Sequence, residues 1–147
     1  MKVVYAETSA VLAWLLGDEP RLRARRVIDS ADQVVTSVLT LLEATRGILR
    51  AASERRVTAA DASRLKGLLF RTTTAWQVLE MTPDIRIRAG EPFPIEPVRT
   101  LDAIHLATAL RFARLFPGLP VLTFDERILS NLEPLGMMDA TTQEARS

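Results

Sequence analysis

The stretch VVYAETSAVLAWLL, Val3 to Leu16, joins a run of β-formers to a run of helix-formers, with one carboxylate, Glu7, at the joint. Val3–Ala6 predicts a buried strand, and Thr8–Leu16 predicts a helix that is apolar on nearly every side. Burying an unpaired charge costs several kcal/mol. Either the chain turns into solvent at Glu7, or the carboxylate has something to bind.

Working outward, strands and helices continue to alternate. Gly17 to Pro20 breaks the first helix, an arginine-studded helix spans about Leu22 to Ser30, and Gln33–Ser37 reads as a second short strand. From Ser37 the period becomes helical, with Val38, Leu41, Leu42, Thr45, Ile48, Leu49 and Ala52 on one stripe. Thr58, with Asp61 three residues on, starts another helix that runs to about Arg71. Ala75–Met81 predicts a third strand, Pro83 opens a helix, and Ala89–Pro97, with three prolines, predicts a loop. Thr100 is placed as the cap of a helix from Leu101 to about Phe116. Val121–Phe124 predicts a strand, Glu126 begins a short helix, and a weak strand lies near Met137. The pattern predicts one α/β domain over residues 1–140. Its short parallel sheet of four to five strands is flanked by helices on both faces. Residues 141–147 are expected to form a polar, disordered tail.

The 147 residues suit a single core. The absence of cysteine excludes disulfides and thiolate metal sites. Glu7 interrupts the apolar start and no cleavage site follows, so a secretory signal is not expected. No run reaches the roughly 18 apolar residues a spanning helix needs. A soluble, cytoplasmic protein without membrane association is the expectation. The net charge of +1 makes the whole molecule no magnet for nucleic acid. Of 19 basic residues only Lys2 and Lys66 are lysine; arginine's fork suits phosphate oxygens, but a GC-rich genome gives the same bias.

In sheets of this kind ligands sit outside the carboxyl ends of the strands. Glu7 ends the first predicted strand and Asp125 ends the one at Val121–Phe124. Asp102 lies in the first turn of the helix after Thr100, and Glu43 lies about two turns into the helix after the second strand. Four converging acids would repel one another unless cations intervene, and carboxylate oxygens are what Mg²⁺ and Mn²⁺ prefer. Each acid also has an ordinary reading. Asp102 is favoured by the helix dipole, Asp125 as an N-cap, Glu43 as a partner of Arg46, and Glu7 as an acceptor for the opening turn of its helix. The joint placement on one sheet edge favours the metal site.

YAETSAVLAWLLGDE, VVTSVLTLLEATRGILR, RTLDAIHLATALRFA and VLTFDERIL, in that order and spacing, resemble the PIN-domain nucleases, specifically the VapC-type toxins of toxin–antitoxin pairs. The resemblance covers essentially the whole chain. It implies a Mg²⁺- or Mn²⁺-dependent endoribonuclease whose catalytic acids and metal ligands are Glu7, Glu43, Asp102 and Asp125. It also implies 5′-phosphate and 3′-hydroxyl products, a homodimer, and inhibition by a small VapB-type antitoxin. One departure stands out. The family usually has Asp at the first acid, and Glu7 extends the carboxylate by roughly 1.5 Å, one C–C bond.

Around these acids, Thr8, Ser9 and Thr123 can hydrogen-bond a carboxylate or a phosphate. Arg46 either meets a phosphate or pairs with Glu43. His105, the sole histidine, shares a helical face with Asp102 and is expected to be packed or to support a ligand rather than to act as a base. Trp14 and Trp76 are expected in the core or a dimer interface. The run Arg21, Arg23, Arg25, Arg26 reads as a solvated face that can also track RNA backbone or antitoxin. A haloacid-dehalogenase-like phosphatase lacks its paired nucleophilic Asp here, and a receiver domain lacks its lysine near the last strand. The rival reading is a degenerate PIN domain that binds RNA or protein without cutting.

Overall fold

The computed structural model describes residues 1–17 and 21–144. In chain order the elements are β1 (Val3–Ala6), α1 (Thr8–Leu16), α2 (Arg21–Ser30), β2 (Gln33–Ser37), α3 (Val38–Ser53), α4 (Ala59–Thr73) and β3 (Gln77–Leu79). They continue with α5 (Pro83–Ala89), α6 (Thr100–Ala113), β4 (Pro120–Leu122), α7 (Glu126–Leu132), a 3₁₀ turn (Glu133–Leu135), β5 (Met138–Asp139) and α8 (Ala140–Glu144). The strands form one five-stranded sheet in the order β3-β2-β1-β4-β5, and every pairing is parallel. The predicted α/β architecture is the one observed.

The alternation of side chains along β1 divides the interior. Val4 and Ala6 join Val11, Leu15, Ile28, Ile48, Leu65 and Leu69, from α1, α2, α3 and α4, on one face. Val3 and Tyr5 join Leu106, Ala109 and Phe112 of α6 and Ile128 and Leu132 of α7 on the other. Each fully buried Leu, Ile or Phe contributes roughly 1.5–3 kcal/mol of transfer free energy. Trp14 and Trp76 pack, partly buried, against the first of these clusters. Gly47 lets α1 approach α3 closely, since a Cβ there would stand 2.6 Å from a Leu12 methyl.

The winding order positions the site. The chain moves outward from β1 through β2 to β3, then returns past β1 to β4 and β5. The direction therefore reverses between β1 and β4, and their carboxyl ends flank the crevice where such sheets bind ligands.

Several boundaries differ from expectation for visible reasons. Strand β4 ends at Leu122 rather than Phe124 because the next backbone donors turn to hydroxyls: Phe124 N–H donates to Ser9 Oγ and Asp125 N–H to Thr123 Oγ1. Strand β3 spans Gln77–Leu79 and not Ala75–Met81, because Ala75 and Trp76 N–H still bond back to Thr72 and Thr73 at the end of α4. Thr100 is the first residue of α6 and not its cap; Arg99 holds that position without a side-chain bond. The preceding proline-rich loop is tied internally: Glu96 accepts from Phe93 and Val98 N–H, and the Asn131 amide clasps Ile95 N–H and C=O.

The expected disordered tail is a correction for residues 141–144. Asp139 accepts from the Thr141 N–H and hydroxyl, Ala140 is buried in the core, and α8 packs against α2. Residues 145–147 lie outside the described segment. Among the described residues no helix is long and apolar enough to cross a membrane.

Candidate active site at the carboxyl edge of the sheet

Glu7 sits in extended conformation between β1 and α1, as the N-cap of α1. Its Oε2 accepts from Ser9 N–H at 3.0 Å, from Ser9 Oγ, and from Thr123 Oγ1 at 2.7 Å. Ser9 Oγ in turn accepts from Phe124 N–H at 2.9 Å, and Thr123 Oγ1 accepts from Asp125 N–H at 3.1 Å. One buried carboxylate oxygen thus gathers the ends of β1 and β4. The bond from Glu7 N–H to Leu122 O, 3.0 Å, continues the strand pairing to this point. Asp125 caps α7, its Oδ1 accepting from Arg127 N–H at 2.9 Å. Both ordinary readings, Glu7 and Asp125 as helix caps, therefore hold alongside their position at the crevice.

A second group surrounds Glu43, on α3. Its Oε1 accepts from Thr8 Oγ1 at 2.7 Å and lies 2.6 Å from His105 Nε2. The other ring nitrogen, Nδ1, is 3.0 Å from the Tyr5 hydroxyl. Partial burial raises the Glu43 carboxyl, but the bonds from His105 and Thr8 and the attraction of the imidazole outweigh it and hold the group below the ordinary carboxylate range. Tyr5 is driven the other way. Burial, then the nearby Glu7 and Glu43 charges, raise its phenol well above the ordinary value. The wholly buried Thr40 hydroxyl lies beside that phenol and slightly favours its ionised form; among the described residues it has no hydrogen-bond partner.

Asp102 is buried in the first turn of α6, where the Arg99 guanidinium, itself mostly exposed, meets it at 3.3 Å. Arg46 is exposed, and among the described residues it enters none of the hydrogen bonds or ion pairs found; Glu43 pairs with His105 instead. Arg23 and Arg25 lie on the exposed side of α2, where Arg25 meets Asp29 at 3.5 Å. The side chain of Arg21 lies outside the described set.

Glu7, Ser9, Thr123 and Asp125 are linked in one chain of hydrogen bonds, and Thr8, Glu43, His105 and Tyr5 in another. Thr8 and Ser9, adjacent on α1, connect the two. Among the described residues no three His, Asp or Glu side chains stand close enough together to hold a metal ion as they are. The chemistry of the donors nonetheless fits a hard divalent cation: the four acids offer only oxygen, and none of the ion pairs found among the described residues involves the buried Glu7. A broad cleft lies elsewhere, at the opposite edge of the sheet beside Lys2, Ala31, Gly118 and Met138, and none of the four candidate acids lines it.

His105 is buried, at 2% exposure, in line with its reading as a packed or ligand-supporting residue, whereas Tyr5 was not singled out. A signal was present: Tyr5 is the only tyrosine and precedes Glu7 by two residues. Its behaviour is testable. Because burial raises the phenol, its contribution to stability is fully present below the unfolded value, about 10, and is lost as pH rises through the folded value. Absorbance titration of this sole tyrosine should show no phenolate below about pH 10, with ionisation above it coinciding with loss of the helical circular dichroism signal.

An α/β domain with acids around the switch point of a parallel sheet is the class that fold and site define. A family model described as "PIN domain" matches residues 4–133, and the chain belongs to that family. Ribonuclease VapC45 of Mycobacterium tuberculosis is 26% identical over 143 residues, covering 97% of this chain and 98% of the relative. Ribonuclease VapC46 of the same species is 29% identical over 137 residues, covering 93% and 95%. The fold is similar to the crystal structure of PAE2754 from Pyrobaculum aerophilum, with TM-score 0.61 and 23% identity, over 98% of this chain and 88% of that one. It is also similar to Mycobacterium tuberculosis VapC20, described as a sarcin-ricin loop cleaving toxin, with TM-score 0.62 and 22% identity, over 86% and 93%.

Proposed function

We propose that this chain is a VapC-type endoribonuclease that hydrolyses RNA phosphodiesters at the carboxyl edge of its sheet. In this reading it works as a homodimer and is neutralised by a VapB-type antitoxin. The observation that carries the reading is the placement of Glu7 and Asp125 on either side of the switch point, with Glu43 tied to Glu7's neighbour Thr8, in a PIN-domain chain whose full-length relatives carry the name ribonuclease.

Glu7, Glu43, Asp102 and Asp125 would hold Mg²⁺ or Mn²⁺. When bound, such an ion supplies an acidified water and neutralises charge on the phosphoryl oxygens. The chain does the rest. Ser9 and Thr123 fix the Glu7 carboxylate, Thr8 and His105 fix Glu43, and Arg46, exposed one turn beyond Glu43, is free to meet a phosphate. Purified protein incubated with RNA and Mg²⁺ or Mn²⁺ is expected to give fragments with 5′-phosphate and 3′-hydroxyl ends, and a chelator to stop the reaction. RNA that is bound but never cut would support the degenerate reading instead.

The unusual first acid gives a second expectation. The longer arm of Glu7 is already folded onto Ser9 and Thr123, so Glu7→Asp shortens the reach without changing the donor. Cleavage should stay within a few-fold of the parent or rise. Complete loss in a folded variant would mean that the pocket is shaped around Glu.

A further inference from the structure

We propose that His105, held by the Tyr5 hydroxyl, is a positioning residue that aims the Glu43 carboxylate into the site. This deepens the ribonuclease reading above and rests on it for the role of Glu43.

The geometry runs in one direction. Glu43 Oε1 is 2.6 Å from His105 Nε2, and an ionised carboxylate can only accept, so Nε2 carries a proton. The other ring nitrogen, Nδ1, is 3.0 Å from the Tyr5 hydroxyl, which donates to it when Nε2 carries the ring's single proton and accepts from it when both nitrogens are protonated. Either way the Tyr5 hydroxyl holds the ring with Nε2 facing Glu43. Tyr5 is wholly buried in β1 and His105 is 2% exposed on α6, so neither group has water as an alternative partner. The Tyr5 ring is itself wedged, edge-on to the imidazole and tilted against Phe112, with centroids 6.3 Å away in each case. Glu43 differs: a quarter of its side chain reaches solvent. The arrangement is a carboxylate at the rim held by a rigid polar pair behind it, the pattern by which outer partners orient a ligand. Thr8 Oγ1 adds a second donor to the same oxygen and lies 3.2 Å from Nε2.

Packing alone would make a different demand. If His105 only filled space, an apolar residue of similar size would replace it best. If it aims Glu43, a side chain that presents an N–H where Nε2 stands would replace it best, and glutamine does so.

The test compares Mn²⁺ affinity, by calorimetry, of the full chain with that of Tyr5→Phe, His105→Gln and His105→Leu, alongside RNA cleavage and the melting temperature of each. The expected order is parent and His105→Gln similar, Tyr5→Phe weaker by several-fold, and His105→Leu weaker by about 10-fold or more, whatever the order of melting temperatures. Nitrogen-15 spectra of the single imidazole in metal-free parent protein should show the proton on Nε2. His105→Leu binding Mn²⁺ as tightly as the parent, or an Nε2 found without a proton, overturns the inference while leaving the ribonuclease reading intact. A parent that binds no Mn²⁺ and cuts no RNA removes the reading itself. In that case the inference falls with it.

Discussion

Asp102→Asn is expected to lower RNA cleavage by about 100-fold or more, beyond the 10–100-fold that loss of an outer partner of a metal ligand costs, while leaving the protein folded. The substitution is nearly isosteric and keeps an oxygen for the Arg99 guanidinium, which meets the carboxylate at 3.3 Å. What it removes is a negative charge in a buried position at the start of α6. In the proposed reading a hard dication depends on that charge, whereas the helix dipole and one partly exposed ion pair lose only a few tenths to about 1 kcal/mol. Activity should therefore collapse with the melting temperature nearly unchanged. Equal loss of both would make Asp102 a folding residue.

The second large effect falls on stability. Phe112 is wholly buried and packs on the Tyr5 ring and the β1–β4 face. Phe112→Ala should cost about 3–5 kcal/mol, a large part of the 5–15 kcal/mol typical of a domain, and lower Tm by on the order of 10 °C. Differential scanning calorimetry measures it. A change of less than about 1 kcal/mol would mean that α6 is not the anchor of that face. Because Phe112 also wedges Tyr5, the variant should bind Mn²⁺ more weakly even at temperatures where it remains folded.

What could be read from the chain, and what could not, follows from how far each interaction reaches. The positions of Glu7 and Asp125 were legible because a charge following an apolar strand is a local anomaly, and in a parallel sheet such a residue falls at the carboxyl edge. The partner of Glu43 was not legible. Arg46 lies three residues away and His105 sixty-two residues away; helix spacing favours the near one, and tertiary packing of α6 against the sheet delivers the distant one. The end of β4 failed for a related reason. Thr123 and Phe124 have strong strand propensity, but the backbone after Leu122 finds the Ser9 and Thr123 hydroxyls instead of a neighbouring strand. Asp139 and Ala140 carry the C-terminal helix through a cap and a buried methyl, signals too short to register against a polar run.

The measurement that bears most directly on this account is the rate of RNA cleavage by the purified chain as Mn²⁺ is titrated in, with binding of the same RNA followed in the same samples. The account predicts no cleavage in chelator, a rate that rises to a plateau with Mn²⁺, and RNA bound throughout. RNA bound by the folded protein and left intact at every Mn²⁺ concentration would contradict it.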